Sequence, residues 1–342
     1  MKIRRITASI VIFVLTAVLY TGCSANKTAS GDLPKVINIG TQEMPNDEKI
    51  AIAKGYFEQE MGVKVNIIKF EAGSIRNALI SKDIDFALLG SSSATLGIAS
   101  GIDVELIWVH EVLGNSEALV AKKNSGINTI KDLKGKKVAT PFTTTTHYSL
   151  LKALELNGMS EKDITLLDMQ MPEVYAAWQR GDIDAAYAWE PTLSKLLPDG
   201  KIILTSKDMA AKGVVTSNVE VVRRDFAQKY PDLVAKYIKA LDKSVNLYND
   251  NKSEAVKTLA QSLNISEADA LKQTQGSIWL TAKQQLAPEY FGTSTSKGAI
   301  VKSLMDTAEF LYNQKSLKNK PQLDVFEKAV NPAYIERALN MK

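Results

Sequence analysis

The chain has 342 residues, 45% apolar and 23% charged, an ordinary globular balance, with a formal charge of +4. Lys2, Arg4 and Arg5 supply three of those charges and no acid precedes Asp32, so the rest of the chain is near neutral; without a long basic block, this argues against a nucleic-acid partner. A single cysteine excludes an intrachain disulfide, and with two histidines it leaves too few ligands for a zinc site of ordinary composition, so neither metal nor cofactor is expected.

The N-terminus opens on a basic cluster, M-K-I-R-R, followed by an apolar run from Ala8 to about Leu19 and then Tyr20-Thr21-Gly22-Cys23. This order reads as a signal peptide over residues 1–22, too short for a comfortable span; a retained membrane helix is the alternative. The stretch before Cys23 resembles a bacterial lipobox, although Tyr20 stands where leucine is usual. The resemblance implies lipidation of Cys23, with ordinary cleavage as the other outcome. Residues 23–34, small and polar after the cysteine, read as the anchor and a flexible tether.

From Lys35 to Val222 short β-branched runs alternate with helical patterns. Strands are expected at Val36–Gly40, Val63–Ile68, Asp85–Leu89, Val104–Val109, Ala118–Ala121, Lys137–Thr140, Ile164–Leu167, Ala185–Trp189 and Val219–Val222. Such alternation indicates an α/β fold with mainly parallel sheets. Beyond Arg224 the pattern is almost wholly helical: Leu233, Tyr237, Ile238, Leu241, Val245 and Tyr248 form one apolar stripe, and Leu304, Ala308 and Leu311 another.

An internal echo joins the two halves. Lys82–Ala87 reads K-D-I-D-F-A and Gly181–Ala186 reads G-D-I-D-A-A, each between an amphipathic helix and a strand. It is either a common turn or the mark of two similar lobes whose strand-end loops face a shared cleft. Those loops suit an anion. Ser91, Ser92 and Ser93 precede a helix, where free amides and the positive dipole end gather. Pro141-Phe142-Thr143-Thr144-Thr145-Thr146-His147 opens another, and a plain solvated helix cap is the alternative there.

L-G-N-S-E-A-L-V-A-K (Leu113–Lys122), P-F-T-T-T-T-H-Y-S-L-L (Pro141–Leu151) and A-A-W-Q-R-G-D-I-D-A-A-Y (Ala176–Tyr187) resemble the taurine-binding components of ABC importers, within the wider sulfonate and nitrate group. D-T-A-E-F-L (Asp306–Leu311) is similar to that family's C-terminal helix. The resemblance implies a two-lobed periplasmic-binding fold of type II with a cleft, lobe I comprising 35–119 plus 222–342 and lobe II 120–221. It implies a partnership with an importer's permease and ATPase, and a location in the periplasm or on the outer face of the cytoplasmic membrane. Carried onto this chain, the ligand contacts are Gln42, Ser91, Ser92, Thr145, Thr146, His147 and Trp189, with His147 donating to a sulfonate oxygen. A capping or core role for His147 and a core role for Trp189 stay open, and His110 reads as structural.

Taurine binders carry an acid near the position of Asn218, which is neutral here. Asn218 can still accept from an amine, and Glu43, Asp47, Glu48 and Glu190 are available as amine partners; exposed surface acids are the other reading of the first three. Another alkanesulfonate or a nitrate-type anion therefore remains an alternative ligand. Glu117 reads equally as hinge, support or contact. A same-fold enzyme is the competing class: its sulfur-releasing members use cysteine or histidine chemistry, and the sole cysteine here lies at the leader boundary. No G-x-S-x-G elbow, P-loop or G-x-G-x-x-G occurs.

Overall fold

The structure, a computed structural model, describes residues 33–71 and 74–341. The expected signal peptide, Cys23 and most of the tether lie outside the described residues.

Ten strands form two five-stranded sheets: β1 Val36–Thr41, β2 Lys64–Lys69, β3 Phe86–Gly90, β4 Val104–Val112, β5 Glu117–Lys122, β6 Lys137–Thr140, β7 Thr165–Asp168, β8 Ala185–Trp189, β9 Gly200–Thr205 and β10 Ser217–Arg223. The orders are β2-β1-β3-β10-β4 and β7-β6-β8-β5-β9. In each sheet the first three strands are parallel, the fourth runs against them and the fifth against the fourth. The two sheets thus share one topology, and the reversed strand of each, β10 or β5, is the one the chain reaches by crossing from the other sheet. All nine expected strands form. β9, G-K-I-I-L-T, was missed: it is an edge strand with two exposed side chains, Lys201 and Ile202, so it shows no buried alternation.

The crossings fall outside the expected boundaries. β5 pairs with β8 from Glu117 onward, and β10 pairs with β3 and β4 from Ser217–Asn218 onward. The chain therefore changes sheet at 113–116 and 206–216, a few residues before the expected 119/120 and 221/222. An apolar run signals a strand but not which sheet adopts it.

The sequence echo has a physical basis. Lys82 and Gly181 both take left-handed backbone, φ 63° and 81°, to end their helices. Asp85 N and Asp184 N then bond to Asn38 O and Lys137 O, while the two carboxylates accept from Asn38 N (2.9 Å) and Lys137 N (2.8 Å). The D-I-D motif clamps the incoming central strand, β3 or β8, to its neighbour β1 or β6 in both lobes.

The helical C-terminal part packs on the first sheet. The Pro231–Asp250 helix starts with proline at its first position and buries its apolar stripe. Its Tyr237 ring stacks between Phe57 and Phe86, centroids 4.5 and 4.1 Å away. Each such side chain buried whole is worth about 1.5–3 kcal/mol.

Candidate functional site

Both β3 and β6 end at helices whose N-termini face one another. β3 runs directly into the Ser91–Ala99 helix with Gly90 as its cap, so the three serines sit in the first turn rather than before it. Thr144 caps the Thr145–Leu156 helix, accepting from His147 N. A Cβ on Gly90 would lie 3.2 Å from Thr145 Cγ2 of the other lobe, which shows how closely the two lobes approach, and 3.8 Å from Asn218 Oδ1 on the neighbouring β10.

Between them lies a narrow cavity of about 40 Å³. Gln42, Thr145, Trp189, Glu190 and Asn218 of the expected residues line it, joined by Ser93, Glu111, Glu117, Thr144, Met44 and others. Gln42 Nε2 donates to Leu88 O at 3.0 Å, tying the end of β1 to β3. Trp189 stands at the carboxyl end of β8, opposite Glu117 on β5.

Several expected contacts lie off the cavity. Ser91 Oγ accepts from Ser217 N at 3.3 Å and so joins the helix to β10. Ser92 is buried with its hydroxyl unpartnered, and Thr146 bonds to the hydroxyls of Thr140 and Thr144. The Thr146 partners both belong to its own lobe. His147 stacks on Phe142, centroids 4.4 Å apart, and its Nδ1 accepts from Thr143 N at 3.2 Å. Burial pushes its pKa down to about 4, against the pull of Asp168, so the ring is neutral, and its Nε2 is buried without a partner. It props up the threonine-rich loop.

The expected amine partners on the first helix are also displaced. Glu43 forms ion pairs with Lys49 (3.0 Å) and Lys69 (2.8 Å) at the cleft mouth. Asp47 and Glu48 are neither surface groups nor cavity groups. Both are wholly buried beneath the site. Asp47 accepts from Trp108 Nε1 (2.7 Å) and meets His110 Nδ1 (2.7 Å), while Glu220 meets His110 Nε2 (2.8 Å). Burial alone would lower the His110 pKa, but these two carboxylates hold it well above the ordinary value. Glu48 accepts from Thr41 Oγ1 at 2.5 Å.

This buried ladder shapes the site. Asn218 pairs with Glu111 and Val219 with Val109, which leaves His110 as the extra residue of a β-bulge. With His110 turned inward to Asp47 and Glu220, Glu111 faces the cavity. Its Oε1 accepts from Asn218 Nδ2 at 2.7 Å, leaving Asn218 Oδ1 as a free acceptor on the Gly90 side. Burial raises the Glu111 pKa, while bonds from Asn218 and Ser277 oppose the rise. Glu117, at the far end of the crossing segment, accepts from Thr145 Oγ1 (2.5 Å) and Ser206 Oγ (2.9 Å). Burial nonetheless lifts its pKa to about 7, with Glu111 adding to the rise. Glu190 accepts from Ser194 N and Oγ at 3.0 and 2.9 Å, and burial raises its pKa as well.

The cavity therefore mixes donors and acids. Free helix-end amides and the Ser93 hydroxyl line it at the two helix starts, Thr145 Oγ1 is committed to Glu117, and Glu111 and Glu190 are the other lining acids. Glu111 escaped the sequence reading because β4 was expected to end at Val109; a histidine–glutamate pair inside a long apolar run was the available signal. Arg76 escaped too. It is the single arginine between Arg5 and Arg180, and its Nη1 donates to Ser93 Oγ at 3.0 Å.

The crossing itself is braced. Leu113 N donates to Thr216 O (2.9 Å) across the two crossing segments, and Asn115 N donates to Gly276 O (2.7 Å) from a third. Ser116 and Ser277 hydroxyls meet at 2.8 Å.

Comparison with known proteins now decides the family. Residues 35–273 match the family described as the substrate-binding domain of an ABC-type glycine betaine transport system, OpuAC. The chain belongs to this family. The binding protein is 36% identical over 285 residues to the taurine-binding periplasmic protein of Escherichia coli (strain K12), covering 81% of this chain and 86% of that one. Among solved structures it is similar in fold to the alkanesulfonate-binding protein SsuA from Xanthomonas axonopodis pv. citri bound to MOPS, with TM-score 0.72 and 22% identity over 87% of this chain and 98% of that one. It is similar likewise to the periplasmic aliphatic sulphonate binding protein SsuA from Escherichia coli, TM-score 0.70 and 20% identity over 86% and 92%. The two-lobed α/β architecture is thus that of the periplasmic binding proteins.

Proposed function

We propose that this protein captures taurine outside the cytoplasm and delivers it, without chemical turnover, to the permease and ATPase of an ABC importer. One observation carries the choice of ligand: a single cavity presents free helix-end amides and the Ser93 hydroxyl together with the carboxylates of Glu111, Glu117 and Glu190. A sulfonate bearing only negative charge would meet three carboxylates without compensation, whereas a zwitterionic aminosulfonate answers both ends. Ser93 Oγ and the free amides of the two helix N-termini would take the sulfonate oxygens, since the Thr144 and Thr145 hydroxyls already donate to Pro141 O and Glu117. Glu111 and the Asn218 carbonyl would take the ammonium, with Glu117 and Glu190 close by. Trp189 would cover the two-carbon chain. The neutral Asn218 does not leave the amine unpaired, because Glu111 lies directly behind it.

The carboxylates also weigh against nitrate and simple alkanesulfonates. Glycine betaine fits less well, since recognition of a quaternary ammonium uses several aromatic faces and Trp189 is the one aromatic among the lining residues. The signal-like leader and Cys23 support a lipid-anchored form at the outer face of the cytoplasmic membrane. Titration calorimetry of the protein lacking residues 1–23 with taurine, ethanesulfonate, isethionate, nitrate and glycine betaine tests the reading. Taurine well ahead of ethanesulfonate is expected; the reverse order, or turnover of any of these compounds, would sink it.

A further inference from the structure

Five arginines lie among the described residues, and four of them make carboxylate ion pairs: Arg180 with Asp182, Arg223 with Asp85, Arg224 with Glu105 and Arg337 with Asp232. Arg76 has no carboxylate within ion-pair distance among the described residues. It is nevertheless removed from water far enough that burial lowers its pKa. Its guanidinium touches two hydroxyls instead: Ser93 Oγ at 3.0 Å in its own lobe, and Thr143 Oγ1 at 3.4 Å from both Nη atoms, in the other lobe. A part-buried guanidinium with only neutral partners is costly, and an anion is the partner it lacks.

The contacted groups give that charge a direction. A guanidinium only donates, so Ser93 Oγ must accept from it, which frees the serine proton to point elsewhere. Ser93 lines the cavity, so its hydroxyl becomes a committed donor there, as a sulfonate requires. On the opposite side, Thr143 has φ of 60°, a conformation that a β-branched residue adopts only when its surroundings impose it. His147 Nδ1 holds the Thr143 amide on one flank, and Arg76 holds its hydroxyl on the other.

We propose that Arg76 is a positioning residue for the anionic end of the ligand: it polarises Ser93 toward the cavity and clasps Thr143 of the opposite lobe, so that capture of the anion and approach of the lobes reinforce one another. This rests on the sulfonate reading above and adds the source of its positive charge. It also gives the strained Thr143 and the neutral His147 a shared purpose, that of holding the receiving half of the clasp.

Calorimetry with taurine and with ethanesulfonate, together with thermal melts with and without taurine, tests this on wild type, Arg76→Gln, Arg76→Lys, Thr143→Val and the Arg76→Gln/Thr143→Val pair. The expected result is at least a 30-fold loss for both ligands in Arg76→Gln and partial recovery in Arg76→Lys. The double variant should lose less than the product of its single losses. The ligand-free melting temperature of Arg76→Gln should be unchanged or higher, since an unpaired guanidinium has been removed. Affinity within threefold of wild type would overturn the role of Arg76, as would a fall in ligand-free melting temperature that accounts for the loss. A wild type that binds no sulfonate at all would instead overturn the functional reading beneath it.

Discussion

Glu111→Gln separates the two ends of the proposed ligand. The substitution keeps the side-chain length and leaves a carbonyl oxygen to accept from Asn218 Nδ2, now 2.7 Å from the carboxylate, so the bulge and the cavity wall survive. What it removes is charge. An ammonium about 4 Å from the Glu111 carboxylate, at an effective dielectric near 20, gains about 4 kcal/mol. Part of that gain is offset, because the carboxylate is fully buried and its own desolvation disappears with it. A net loss of about 2–3 kcal/mol for taurine follows, roughly 30- to 150-fold in Kd. Ethanesulfonate has no ammonium and would bind as well as before or better, since one negative group has left the vicinity of an anion. Calorimetry of both ligands against both proteins reads the ratio directly. A parallel loss for the two ligands, or a taurine affinity within threefold of wild type, would refute the assignment of Glu111 to the amine.

The pH dependence of stability has a definite sign. Glu117 (pKa about 7), Glu220 (about 8) and His110 (well raised) all bind protons more tightly folded than unfolded. His147, with a folded value near 4, acts the other way only below its unfolded value of about 6.5. Ligand-free stability should therefore fall from pH 6.5 to 8, with Glu117→Gln flattening part of the slope; chemical denaturation across that range checks it, and a rise would contradict the burial of these groups. Gly114→Ala would place a Cβ 2.0 Å from Gly276 O in the crossing segment. That substitution should cost about 3 kcal/mol and weaken every ligand alike, as measured by urea denaturation and calorimetry. His147→Ala removes the Phe142 stack and the Thr143 support and should cost about 2 kcal/mol of stability, with equal weakening of taurine and ethanesulfonate; a change confined to one ligand would argue for direct contact. Cys23→Ala should release the protein from membranes into the soluble fraction, and unchanged fractionation would remove the lipid anchor from the account.

Much of this architecture was legible in the residues. A strand run such as Ala185–Trp189 announces itself because burial on both faces demands an unbroken apolar stretch. The D-I-D echo predicted two like lobes because the same clamp, an aspartate gripping the neighbouring strand's amide, recurs at each. The approximate location of the site was legible too, since hydroxyl-rich helix starts after strands have one evident use.

Which residue of each loop turns inward was not. The choice of Ser93 over Ser91 and Ser92 depends on the strand running straight into its helix without a loop. Glu111 faces the cavity rather than the core because His110 forms a bulge, and that bulge is held by Asp47 and Glu220, which are 63 and 110 residues distant in the chain. Arg76 and Thr143 meet only because two lobes built from separate segments come together. Local pattern sets periodicity and caps within about one turn, whereas register, bulges and the pairing of charges across a cleft are settled by contacts between segments far apart in sequence. Those contacts gave this protein a cavity lined by donors and acids together.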